Sequence, residues 1–224
     1  MKALIFDSGA LINLAMNGLL NILPDLKRNF NGKFLITKEV KYEVVDRPIG
    51  ISRFELEALI IQDLIDSGVL EMPESLGLSS ETISKETMDL MDIANHYLQI
   101  NNRWLSIVSE GEMSCLALST ELTNHGIENI IAIDERTTRM LAEMPANLGK
   151  LMSEKFHTNI HLVARNFEIF SKYRFIRSSE LLYVAYKKNI IKIKGKKVLE
   201  ALLYATKFKG ASISFEEIDI LKKL

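Results

Sequence analysis

Two aspartates in this 224-residue chain stand directly after short apolar runs. Asp7 ends Ala3-Leu4-Ile5-Phe6, and Asp134 ends Ile130-Ile131-Ala132-Ile133. Two glutamates lie on helical patterns: Glu43 rides a helix with Val40 and Val44, and Glu112 opens another three residues after Ser109. Four carboxylates gathered in one cleft repel one another, and some must stay protonated unless a cation neutralises them. A hard oxygen donor set with no cysteine or histidine cluster suits Mg2+ or Mn2+ rather than zinc. Asp7 and Asp134, both at strand ends, are candidate ligands of such a cation, and Glu43 and Glu112 are candidates to join them if the fold brings the four together.

Each acid also has an ordinary explanation. Asp7 and Asp134 could cap the helices that follow them, although Ser8 could cap the first helix instead. Glu39 and Glu43 share a helix face at i, i+4 spacing, which is common on a solvated surface. Ser109-x-x-Glu112 is a capping box, and Glu110 and Glu135 are neighbouring acids that could share the work. The four histidines (His96, His125, His157, His161) form no zinc-type pattern with a Glu, and His157 and His161 are expected on the surface or in a loop.

The elements that must position these acids can be read from periodicity. Residues 3–6, 34–36 and 130–133 read as buried strands. Leu11, Leu14, Ala15, Leu19 and Ile22 recur at helical spacing, with Pro24 marking the end. Thr37 caps a helix that stops before Pro48. Residues 52–66 and 81–102 read as helices, separated by breakers at Pro73 and Gly77. A further helix follows Ser109, with Gly126 past its end, and a short one runs through Arg139 to Ala142. In the remainder, helices start at Ser178 or Ser179, span 196–208, and open on the Ser214–Glu217 capping box. Strands alternating with helices imply a parallel sheet covered on both sides. Sites in such sheets form beyond the carboxyl ends of the strands, where Asp7 and Asp134 both lie.

Composition bounds the partners. Residues 1–150 hold 13 Lys/Arg against 22 Asp/Glu, whereas residues 151–224 hold 15 against 7. An acidic front and a basic tail can accompany nucleic-acid binding. Lys187, Lys188, Lys192, Lys194, Lys196 and Lys197 form the densest run and are candidate phosphate contacts. The lone Cys115 rules out an intrachain disulfide and suggests a reducing, cytoplasmic setting. No signal peptide or membrane span is expected.

The segment Leu4-Ile5-Phe6-Asp7-Ser8-Gly9-Ala10-Leu11-Ile12 resembles the opening of PIN domains: a strand, an Asp, then a small hydroxyl residue. Thr37-Lys38-Glu39-Val40-x-x-Glu43-Val44 resembles their second motif, and Gly111-Glu112-x-x-x-Leu116-Ala117-Leu118-Ser119 the third in its "GE" variant. Ile131-Ala132-Ile133-Asp134-Glu135-Arg136-x-x-Arg139 resembles the fourth. The match covers about residues 1–145. It implies an α/β fold of the PIN-like three-layer α/β/α type with a central parallel sheet, over residues 1–150. Residues 151–224 would form a mostly helical basic extension packed on it. It further implies a Mg2+- or Mn2+-dependent endoribonuclease cutting single-stranded RNA, with Asp7, Glu43, Glu112 and Asp134 as catalytic metal ligands. Ser8, Glu135 and Arg139 would support that cluster from behind. A protein partner of the antitoxin kind and a homodimer are expectations of the same resemblance. Two departures stand out: Glu112 where many members have Asp, and Thr137-Thr138 where some have a further Asp.

Other classes fit less well. A haloacid-dehalogenase-type phosphatase needs a second Asp where Gly9 stands, and neither Gly-rich phosphate motif occurs. The competing reading is a PIN-fold RNA-binding or assembly module without activity.

Overall fold

Residues 3–6 offer no polar face to water, and in the computed structural model they lie buried in strand β1 (Lys2–Phe6). The structure describes residues 1–163 and 167–224, so residues 164–166 of the expected extension lie outside the described residues. After β1 come α1 (Ser8–Met16), a 3-10 turn (Leu20–Ile22) and α2 (Leu23–Phe30). Periodicity alone runs one helix from Leu11 to Ile22. The chain instead breaks at Asn17 and the left-handed Gly18 (φ +65°), a conformation open to glycine at no steric cost. Pro24 does not end a helix but begins one, in the first turn of α2, where a missing N–H breaks no hydrogen bond.

Strand β2 (Lys33–Leu35) leads to α3 (Lys38–Lys41), capped as expected by Thr37, whose hydroxyl accepts from Val40 N at 3.2 Å. One π-helical turn (Tyr42–Asp46) continues it. Next come α4 (Glu55–Asp66) and α5 (Ser80–Asn95). The helical pattern over 81–102 breaks off at Asn95. The chain there forms a hairpin of β3 (Leu98–Ile100) and β4 (Arg103–Trp104), turning on Asn101 and Asn102 with φ +49° and +61°. Two consecutive left-handed residues match the right-handed twist of paired strands, and Asn tolerates them.

The chain then continues through α6 (Glu110–Asn124), β5 (Glu128–Ala132), α7 (Arg136–Glu143), α8 (Leu148–Phe156), β6 (His161–Leu162) and α9 (Glu168–Ser171). It ends with β7 (Phe175–Ile176), α10 (Ser178–Lys187), α11 (Val198–Phe208) and α12 (Phe215–Leu221). Four strands form a parallel sheet in the order β2-β1-β5-β7. A small antiparallel sheet, β4-β3-β6, lies apart from it. The architecture is α/β, consistent with three layers of helix, sheet and helix. One apolar core runs from β1 through α6 to Leu181, Leu182 and Leu202. The C-terminal part thus shares the core and adds β7 to the main sheet. No helix of the described residues is long and apolar enough to cross a membrane.

Candidate functional site

β1 and β5 run side by side, with Asp7 N donating to Ala132 O at 2.9 Å, so both strands end at one edge. Asp7 caps α1, a role the sequence left open between Asp7 and Ser8. Its Oδ2 accepts from Gly9 N at 3.0 Å. Its Oδ1 is buried and has no hydrogen-bond partner. Capping therefore explains one oxygen and leaves the other orphaned, which is costly in an apolar surrounding. Burial, then repulsion from Glu112 and Glu43, raises the Asp7 carboxyl from its ordinary 3.8 to about 8. The Ser8 hydroxyl makes no hydrogen bond among the described residues.

Glu43 reaches this region through the π turn. Arg47 N donates to Tyr42 O at 2.9 Å, the i→i+5 bond that widens a helix by one residue. The insertion uncouples Glu43 from Glu39, whose Oε1 instead accepts from Ser84 Oγ at 2.7 Å. Glu43 lies against the first turn of α6. A β-carbon on Gly111 would stand 2.7 Å from Glu43 Oε2 and 2.9 Å from Oε1, so this close approach requires glycine.

Glu112 fulfils both of its possible roles. It completes the capping box, with Glu112 N to Ser109 Oγ at 3.2 Å and Ser109 N to Glu112 Oε2 at 3.4 Å. The Thr138 hydroxyl also donates to Oε2, and Oε1 takes no hydrogen bond among the described residues. Burial raises the Glu112 carboxyl, and the Thr138 hydroxyl pulls it back. Cys115 lies beneath the three acids. Its thiol donates to Phe6 O at 3.7 Å and is pushed up first by burial and then by Asp7, Glu43 and Glu112.

Asp134 turns elsewhere. Its Oδ1 accepts from Ser178 N at 2.8 Å and its Oδ2 from Ser178 Oγ at 2.6 Å, tying β5 to the start of α10. Burial raises its carboxyl while Ser178 and Arg177 lower it. Asp134→Ala is expected to cost about 2–3 kcal/mol in urea denaturation, because two buried donors on Ser178 lose a charged acceptor. An unchanged midpoint would show that this pairing carries no weight. Glu135 caps α7, accepting from Thr138 N at 3.1 Å and Thr137 Oγ1 at 3.0 Å. Arg139 pairs with Glu143 at 3.0 Å and reaches Ser212 Oγ at 3.5 Å.

The structure thus brings together Asp7, Glu43 and Glu112 and directs Asp134 to α10. Among the described residues, no group of three or more His, Cys, Asp or Glu side chains is arranged to hold a metal ion as it stands. The donor chemistry nevertheless suits a hard cation: an orphaned buried oxygen, with two like charges raising its pKa. The sequence names Thr138, Gly111 and Ser178 as a departure, a motif residue and a helix start, but not the contacts they make here. The contacts of Thr138 and Gly111 were within reach, since both lie inside the quoted motifs; that of Ser178, 44 residues from its partner, left no local signal.

The six lysines lie at the tip of a helical hairpin. α10 starts at Asp134, and α11 returns there, with Ser212 N donating to Asp134 O at 3.3 Å. Lys187 is nine residues along α10, about 13 Å away at 1.5 Å per residue. The remaining five follow in the connection to α11. Lys187 sits 5.3 Å from the Tyr183 ring, and none of the six forms a salt bridge among the described residues. Nearer the acids, a cleft of about 550 Å3 opens beside Glu43, with Ile12, Met16 and Phe54 on its walls and Arg47 and Arg53 in its lining. All four histidines are exposed. Comparison with protein-family models, curated proteins and solved structures finds no match to this chain.

Proposed function

We propose that this chain is a metal-dependent nuclease of the PIN-domain type that hydrolyses phosphodiester bonds, with single-stranded RNA as substrate. The observation that carries this reading is the buried, unpartnered Oδ1 of Asp7 facing the repulsion of Glu43 and Glu112. Asp7, Glu43 and Glu112 would hold Mg2+ or Mn2+, and Asp134 would hold the shape of the edge through α10. A bound cation lowers the pKa of a coordinated water and offsets charge building on the phosphate. The Thr138 hydroxyl and Ser109 N orient one oxygen of Glu112, leaving the other for the cation. Gly111 lets Glu43 approach. The apolar cleft beside Glu43 offers a base a dry bed next to the scissile position.

The test is cutting of single-stranded RNA by purified protein with Mn2+. Wild type should cut, and Asp7→Asn should lose cutting by at least about a thousandfold while keeping its circular dichroism spectrum. Equal cutting by both proteins points to a contaminant and sinks the proposal. A second reading, a binding module without activity, is favoured by the engagement of both Asp134 oxygens with Ser178. Mn2+ binding that disappears in Asp7→Asn supports the enzyme; absence of binding in wild type supports the module.

A further inference from the structure

An RNA strand carries one negative charge per nucleotide, and an edge built of carboxyl groups offers its phosphates no attraction. Cations must therefore stand near that edge of the sheet, whereas Lys187 is already nine residues along α10 and the other five lysines follow it in the connection to α11. A cavity of about 580 Å3 does lie at the Asp134 edge, between α7 and residues 211–217. Four cationic side chains line it, Arg136, Arg139, Arg177 and Lys207, against two carboxylates, Glu143 and Glu217.

Two of the cations are already spent. Arg177 is buried and saturated: its Nε donates to Glu180 at 3.0 Å, and its Nη1 to Ser212 O at 3.0 Å and Glu217 at 2.9 Å. Arg139 pairs with Glu143. Arg136 is exposed and makes neither a hydrogen bond nor a salt bridge among the described residues. Lys207 is held by the Ile213 carbonyl and lies 4.3 Å from the Phe215 ring centre, with no salt bridge among the described residues. Met140, Met144 and Ile213 add apolar wall. The cavity is joined to the acids through α7: Thr138 donates to Glu112, and Arg136 and Arg139 on the same helix line the cavity.

We propose that this cavity seats one nucleotide of the single-stranded substrate beside the acidic centre. Its phosphate meets Arg136 and Lys207, and its base lies against Met140 and Met144. The volume falls within the roughly 300–1,000 Å3 of small-ligand sites. The identity of the strand rests on the nuclease reading above.

The test is fluorescence anisotropy of a labelled oligouridine with the full chain in EDTA, where binding is read without cutting. At about 50 mM salt, Arg136→Gln/Lys207→Gln should weaken binding at least tenfold. It should also reduce the slope of log affinity against log salt by about 1.4, two contacts at about 0.7 each on a single strand. Lys207 has structural contacts, so Arg136→Gln alone, which removes none, should reduce the slope by about 0.7. Lys192→Gln/Lys194→Gln should leave affinity within twofold.

Weakened binding in the cavity variants, even if wild type never cuts, keeps the nucleotide site and removes the nuclease. Cutting by wild type, with unchanged affinity and slope in the cavity variants, overturns the site and keeps the nuclease. A wild type that does not bind the oligonucleotide overturns the site as well. Loss of binding in the lysine pair alone also overturns it, assigning the contact to the hairpin tip.

Discussion

In metal-free protein at pH 8, Asp7→Asn is expected to raise the unfolding free energy by up to about 4 kcal/mol, while removing Mn2+-dependent RNA cutting. The sign follows from the two states. The folded carboxyl holds its proton up to about pH 8, against 3.8 ordinarily. A raised carboxyl pKa means that the folded chain binds a proton where the unfolded chain has lost it. Its contribution is most favourable below about pH 4, declines as pH rises, and is exhausted above about pH 8. Four units at about 1.4 kcal/mol each give a ceiling of about 5.6 kcal/mol, and relaxation of side chains and water around a buried charge lowers the expected figure to about 4 kcal/mol. Wild type in EDTA should therefore lose stability between about pH 5 and 8, and Asp7→Asn should follow a flatter curve. Asn is also a good cap, so the bond from Gly9 N survives. Urea denaturation across this range is the measurement. Parallel curves would mean that Asp7 is solvated in solution and that the cluster has no strain for a cation to relieve.

Gly111→Ala is expected to separate stability from function. The new β-carbon occupies the place of the Glu43 carboxylate, at 2.7 Å from Oε2. That oxygen is the far end of a flexible side chain, so Glu43 swings away at little cost. Ala in a helix is favoured over Gly by roughly 0.5–1 kcal/mol, so the folded state should be equal or slightly more stable. A ligand displaced by about 1 Å costs on the order of a hundredfold in rate. RNA cutting with Mn2+ should therefore fall about a hundredfold with an unchanged or raised melting temperature, and Glu43→Gln should reproduce the loss. Full activity in Gly111→Ala would remove Glu43 from the site.

The two predictions test different parts of the same contact between β1, the π turn and α6. Asp7 carries the buried carboxyl with the raised pKa, and Gly111 provides the space in which Glu43 meets it. Asp134 stands outside this contact despite its similar position in the sequence. Its carboxylate bridges β5 to α10, and its backbone carbonyl accepts from Ser212 N just past the end of α11.

What the amino-acid sequence determined by itself was local. The burial of β1 and β5, the Thr37 cap, and the capping boxes at Ser109 and Ser214 follow from groups within four residues of each other. So does the placement of Asp7 and Asp134 just past strand ends, once alternating elements imply a parallel sheet. Tertiary structure decided everything that depends on distant partners. β7 has two residues and no periodicity to read, yet pairing with β5 makes it the sheet's edge. A π turn was invisible in the helical pattern at 38–47, because one inserted residue changes direction without changing composition. Ser178 took both oxygens of Asp134 from 44 residues away, and the α10–α11 hairpin placed the lysines at the last residue of α10 and in the connection after it. Asp7 differs from Asp134 in one respect: the fold satisfies both oxygens of Asp134 and only one of Asp7, leaving a buried carboxyl oxygen with no partner among the described residues.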